Sequence, residues 1–238
     1  MGGLFFCFVV ISIVMDIHCL FPNRILRCLL ILLFLFSCKP QKSGQPAGLF
    51  AYVDSLQCDG QKFTVYKKPN GHVFILNAKN DTVFQHKEWV GKIEIGEFYK
   101  SGNQSLLFSY STNTPGECDL IVYMPDFGKF TKVMNFRKFP SAKRIGDGNY
   151  WYSYKSVGCA DNIWKSDLFK IESYEAKLIA SVEVNGCVSE TQEKVKATLF
   201  RIKENEKVVV REFVPVFVST PDYKHAFIRN FWAKNYSY

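Results

Sequence analysis

Apolar residues crowd the first 36 positions, in the runs Leu4–Val14 and Leu29–Phe36, and beyond residue 48 they alternate with polar ones instead. The segments Lys62–Lys68, His72–Asn77, Lys92–Tyr99, Ser105–Ser111, Asp119–Met124, Phe130–Phe136, Tyr150–Ser156, Asp167–Ser173 and Lys177–Val184 are rich in aromatic and β-branched residues. Pro69-Asn70-Gly71, Asp126-Phe127-Gly128 and Asp147-Gly148 punctuate them, and the pattern predicts strands joined by tight turns. Near the end the period changes. Thr220, Pro221 and Asp222 are an N-cap residue, a first-turn proline and a first-turn acid, which predicts a helix over about 221–234. Tyr223, Ala226, Phe227 and Phe231 then share one stripe, expected to dock on the sheet.

Two stretches superimpose. Ile95-Gly96-Glu97, Phe108–Ser111, Asp119–Tyr123 and Lys132–Met134 form one series; Ile145-Gly146-Asp147, Tyr152–Lys155, Asp167–Ile171 and Lys177–Ile179 repeat it at offsets of 44 to 50 residues. A fainter copy is read over residues 73–95. Periods of this size with three or four strands are those of propeller blades. The expected class is all-β, built of repeated antiparallel meanders as a small or incomplete propeller-like array, with a two-sheet β-sandwich as the alternative and a C-terminal helix in either case. The segment Ile95–Phe108 resembles the FG-GAP-type repeat of integrin-like propellers, in which an acidic calcium loop precedes an apolar strand. Glu97, Tyr99, Ser101 and Ser105 stand where several carboxylates would be needed, so no calcium site is expected.

The run Leu29–Phe36 is far shorter than the roughly 20 residues of a membrane-spanning helix, and Arg24 and Arg27 precede it in the manner of a secretory signal. Leu35-Phe36-Ser37-Cys38 resembles the lipobox of bacterial lipoproteins, with Phe36 in place of the usual smaller residue. The resemblance implies that residues 1–37 are removed and that Cys38 carries a fatty-acyl group such as palmitate. Residues 38–48, "CKPQKSGQPAG", have the composition of a flexible tether, leaving one β domain over 49–238. A start at Met15 would give a signal of ordinary length; a start at Met1 leaves an uncleaved membrane hairpin as the rival. The resemblance further implies that Lys39 after the cysteine is compatible with passage to the outer membrane of a bacterial envelope.

Residues 38–238 carry 28 basic and 21 acidic side chains, the whole chain's 30 and 22 less Arg24, Arg27 and Asp16. The lysines are dispersed singly along the strands, which argues for a solvated surface and against nucleic-acid binding. Cys58, Cys118, Cys159 and Cys187 make an even set in an exported chain, and the pairs Cys159–Cys187 and Cys58–Cys118 are expected because each would staple neighbouring strand units. No zinc, nucleophile-elbow, phosphate-loop or dinucleotide pattern is present, so neither metal nor cofactor is expected.

Tyr150, Tyr152 and Tyr154 alternate on one strand face with Trp151 on the other, and with Trp164 they are the binding candidates. Asp119, Asp167 and Glu97 are the catalytic candidates, which would have to converge within about 5 to 10 Å. The expected function is a membrane-anchored lipoprotein whose β domain binds or scaffolds an envelope protein or polysaccharide. The alternatives are a hydrolase of envelope glycans or peptides, and an inhibitor or immunity protein of an envelope enzyme.

Overall fold

The computed structural model describes residues 51–99, 102–146, 148–187, 195–204, 206–215 and 221–236. The chain divides into two compact units, Met1–Ala47 and Gly48–Tyr238, and the described residues all belong to the second. The expected signal peptide, the tether and Cys38 lie outside them.

Three antiparallel meanders follow one another. The first sheet runs β1 (Ala51–Cys58), β2 (Gln61–Lys67), β3 (Val73–Leu76) and β4 (Thr82–His86) in spatial order. The second runs β5 (Lys92–Gly96), β6 (Ser105–Ser109), β7 (Cys118–Met124) and β8 (Lys129–Lys132). The third contains β9 (Lys143–Arg144), β10 (Tyr150–Tyr152), β11 (Lys155–Gly158), β12 (Ile163–Glu172), β13 (Glu175–Asn185), β14 (Lys196–Lys203) and β15 (Glu206–Phe213), with β11 pairing only to the start of β12. Helix α1 (Pro221–Asn235) follows. Asp59-Gly60, both at positive φ, close the first hairpin with a two-residue turn whose twist suits the flanking strands.

The first sheet buries one face, the second and third sheets bury both, and three cores result. Leu56, Phe63, Val65 and Ile75 of the first sheet pack on Leu106, Phe108, Ile121 and Tyr123 of the second. The opposite face of β7, with Leu120 and Val122, meets Trp151, Phe169 and Ile171 of the third, across Phe136 and Phe139. The far face of the third sheet, with Tyr152, Trp164, Leu168 and Val182, is covered by Ile228 and Trp232 of α1. The result is an open array of meanders in which the helix takes the place of a further sheet, and no barrel closes among the described residues. A sandwich would have one core between two sheets.

The two sequence repeats fall on corresponding strands, β5 to β8 and β9, β10, β12, β13. The fainter copy over 73–95 is out of frame: it takes β3 and β4 from the first sheet and β5 from the second. The helix stripe is centred on Ile228 and Trp232, with Phe227 and Phe231 on its flank. That rotation from the expected stripe lets Trp232 reach inward and donate its indole N–H to Ser166 Oγ at 2.8 Å.

Cys159 and Cys187 are disulfide-bonded with Cα atoms 6.1 Å apart. The expected Cys58–Cys118 pair is corrected: both are free and buried. Cys58 lies in the core between the first and second sheets, while Cys118 is on the opposite face of β7 in the next core. Adjacency of sheets along the chain does not bring those two faces together.

Candidate functional site

Between β11 and β12 the chain makes a turn in which Cys159, Ala160 and Asp161 have φ of 53°, 48° and 71°. Three successive non-glycine residues in the left-handed region each cost on the order of 1 kcal/mol, so the surroundings must hold them there. They do so from four sides. The disulfide ties Cys159 to the end of β13, Asn162 N–H donates to the Cys159 carbonyl at 2.9 Å, and Gly186 N–H donates to the Asn162 carbonyl at 2.9 Å. A Cβ at Gly186 would stand 2.8 Å from that carbonyl oxygen, so glycine is what allows the approach. From the first turn of α1, Lys224 Nζ donates to the Asp161 carbonyl at 2.6 Å and to its Oδ2 at 2.7 Å.

Tyr154 completes the group by donating its hydroxyl to Asp161 Oδ1. Its ring has the Lys224 ammonium 5.9 Å away and the His225 ring edge-on at 4.9 Å. Burial pushes the Asp161 carboxyl up, but the hydrogen bonds from Lys224 and Tyr154 outweigh it and hold the group below the usual carboxylate range. Burial and the Asp161 carboxylate push the Tyr154 hydroxyl well above its ordinary value. A cleft of about 320 Å³ opens beside this corner, lined by Asp161, Asn162, Trp164, Val195, Pro215 and Lys224. Its charges are already paired, so it is fitted to recognise a ligand through hydrogen bonds and shape more than through net charge.

The tyrosine strand reaches this site at its end. Tyr154 belongs to it and Trp164 lines it, while Tyr152 is buried under α1 and Tyr150 is half-buried against Tyr236, at 5.5 Å between rings. Trp151 is on the other face, in the core against the second sheet. The acids do not gather here. Glu97 is exposed in the loop after β5, and its backbone carbonyl accepts from Arg144. Asp167 pairs with Lys165 at 2.9 Å and accepts from the Ser181 hydroxyl.

Asp119 sits in a second cluster, between the first and second sheets. Arg137, from the 3₁₀ turn Phe136–Lys138, donates to its Oδ1 at 3.2 Å and Oδ2 at 2.5 Å, and Tyr110 donates its hydroxyl to Oδ2 at 2.7 Å. Because the Tyr110 proton is spent on Asp119, its oxygen must accept from His86 Nε2 at 2.9 Å, which puts a proton on Nε2. Arg137 also pairs with Glu88 at 2.7 Å and lies 4.1 Å over the Tyr110 ring. Burial raises the Asp119 carboxyl, yet the Arg137 and Tyr110 hydrogen bonds and the charges of Arg137 and Lys132 win, so it stays ionised. A carboxylate so saturated has no proton to give.

Sequence reasoning missed Asp161 and Lys224. The signal was there in part: Asp161 is two residues from a paired cysteine, and Lys224 falls in line with Ile228 and Trp232 on the buried side of α1.

No family model matches the chain, and no curated protein matches it. A solved structure described as that of a Xanthomonas type IV secretion system related protein is similar at a TM-score of 0.43 and 12% identity, over 68% of this chain and 85% of that one. A likeness of that size carries no argument about this chain. Among the described residues no helix is long and apolar enough to cross a membrane.

Proposed function

We propose that the chain is an exported bacterial lipoprotein, anchored by an acylated Cys38 in the cell envelope, whose β domain binds a partner instead of catalysing a reaction. The observation that carries this reading is the Cys159–Cys187 disulfide at the edge of the Asp161–Lys224 cleft. Disulfides persist in oxidising compartments, which supports export, and this one stiffens a strained turn that lines a cleft, which supports recognition. The lipobox-like Leu35–Cys38 and the tether behind it supply the anchor. A glycan or peptide hydrolase would need free carboxylates to converge, and Asp119 and Asp167 sit instead in separate, saturated networks on different sheets.

The test is metabolic labelling with a palmitate analogue in a lipoprotein-processing host, comparing the parent with Cys38→Ala. The parent should take label and fractionate with membranes, and the variant should lose the label. An unlabelled parent whose residues 1–37 remain attached would overturn the anchor.

A further inference from the structure

Of the four tryptophans, Trp151, Trp164 and Trp232 are buried, and Trp89 is 51% exposed. It is held in place all the same. The ring lies on Gly71, where φ is +81° and a Cβ would come within 2.3 Å of Trp89 Cδ1. Lys67 stands 5.5 Å from the ring and donates to the Gly91 carbonyl at 3.0 Å. With Tyr52, also exposed, Trp89 leaves aromatic surface in water at one end of the first sheet.

The register of the first sheet fixes what surrounds this seat. Ala51, Lys67, Val73 and His86 are successive cross-strand partners, so they mark one end of the sheet. The loop 87–91 with Trp89 leaves from that end, the turn 68–72 reverses there, and Tyr52, 60% exposed, is one residue in. Lys67, Lys68 and Lys87 lie at the same end; the acid beside them, Glu88, pairs with Arg137, which it shares with Asp119. Thirteen residues separate Ala51 from Cys38, and their extended reach is at most about 45 Å.

We infer that this end of the first sheet, Tyr52 and Trp89 with Lys67 and Lys87, is a membrane contact that rests on anionic lipid headgroups. Tyrosine and tryptophan prefer the interface, where the ring is apolar and the polar edge is wet, and lysines add attraction to the anionic surface. The inference rests on the proposed lipid anchor for its geometry: the anchor would hold the domain within that reach of a bilayer, where basic and aromatic side chains meet the headgroups.

Trp89 reports on itself, because the other three tryptophans are shielded. The full processed chain, reconstituted with phosphatidylethanolamine–phosphatidylglycerol vesicles carrying brominated acyl chains, should show quenched emission that is absent in Trp89→Phe. Lys87→Gln should weaken vesicle binding of the unacylated Cys38→Ala chain about fivefold, and vesicles of phosphatidylcholine alone should bind it less. If acylated, membrane-fractionating protein leaves Trp89 unquenched and open to iodide, the inference falls and the anchor stands. If the protein proves unacylated, the anchor falls, and quenching in the unacylated chain still decides the contact. Trp89 quenching by soluble envelope polysaccharide and not by vesicles would overturn it in favour of a glycan surface.

Discussion

The molecule builds the same cluster twice, in two places with different surroundings. Between the first and second sheets Tyr110 gives its hydroxyl to Asp119, Arg137 is shared by that carboxylate and the tyrosine ring, and His86 stands against the ring. Between the third sheet and α1, Tyr154, Asp161, Lys224 and His225 repeat the arrangement. The two tyrosines hold the same place in the sequence repeat. What separates the clusters is which partner water reaches. The Asp119 side chain is 1% exposed and Arg137 31%, whereas Asp161 is 38% exposed and Lys224 6%. With its acid buried, the first stitches two sheets; with its acid reached by water and its turn stiffened by a disulfide, the second borders a cleft.

The comparison breaks or sharpens first at the cations. Arg137→Ala leaves the buried Asp119 charge without its main partner and should cost about 3–5 kcal/mol in urea unfolding. Lys224→Met, beside an acid that water can reach, should cost about 1 kcal/mol or less. Equal losses would mean that the two clusters are not different in kind. Next in size is the staple. Cys159→Ser with Cys187→Ser removes closure of the loop between them, 28 residues apart in sequence, and should cost about 3–4 kcal/mol in thermal or urea unfolding. The Asp119 cluster should be untouched by it, so the costs of the double variant and Arg137→Ala should add.

Acid should distinguish the clusters more gently. Burial, with the charges of Lys132 and Arg137, lowers the His86 pKa from 6.5 against the opposing pull of Glu88 and Asp119, and the Asp119 carboxyl is held below its ordinary 3.8. Both groups bind protons more readily unfolded than folded. The stability they contribute is therefore fully present above pH 6.5, begins to fall below that as unfolded His86 takes a proton, and falls again below about pH 4 as Asp119 does. His86→Gln should flatten the upper part of that acid limb in a pH series of urea midpoints, and a limb unchanged by the substitution would refute the assignment. The smallest effect concerns the free cysteines. Burial raises the Cys58 thiol to about 11 and the Cys118 thiol to about 12, so neither should react with a thiol reagent at pH 8 until the protein unfolds. Rapid native-state labelling of both would contradict the packing described.

Much of this architecture was legible in the sequence. The β character, the helix start at Pro221 and the correspondence of Phe108–Ser111 with Tyr152–Lys155 all rest on local rules, alternation and capping, that operate over a few residues. The Lys196–Phe213 hairpin was not among the expected strands, although Ala197 and Leu199 of β14 alternate with less buried neighbours. The exposed β15 shows why it reads weakly: Val208, Val209 and Val210 form no alternation because the strand has no buried face, and its pairing to β14 is broken by a bulge near Val210.

The site was less legible. By repeat position, Asp167 is the counterpart of Asp119, yet the acid that meets Tyr154 is Asp161, six residues earlier, in a turn that the second sheet does not have. Asp167 is drawn off to Lys165 and Ser181 on the face away from α1. Cys58 and Cys118, expected to staple neighbouring strand units, lie instead in the two different cores on either side of the second sheet.

The amino-acid sequence alone therefore determined that this chain makes strands in repeated meanders, closes them with a helix and carries two tyrosines in equivalent places, because alternation and turn chemistry are properties of adjacent residues. Which acid each tyrosine meets, and whether water reaches it, was decided only in three dimensions. Lys224 is 63 residues from Asp161, and no local pattern encodes the sheet packing that brings a helix onto a turn across that distance.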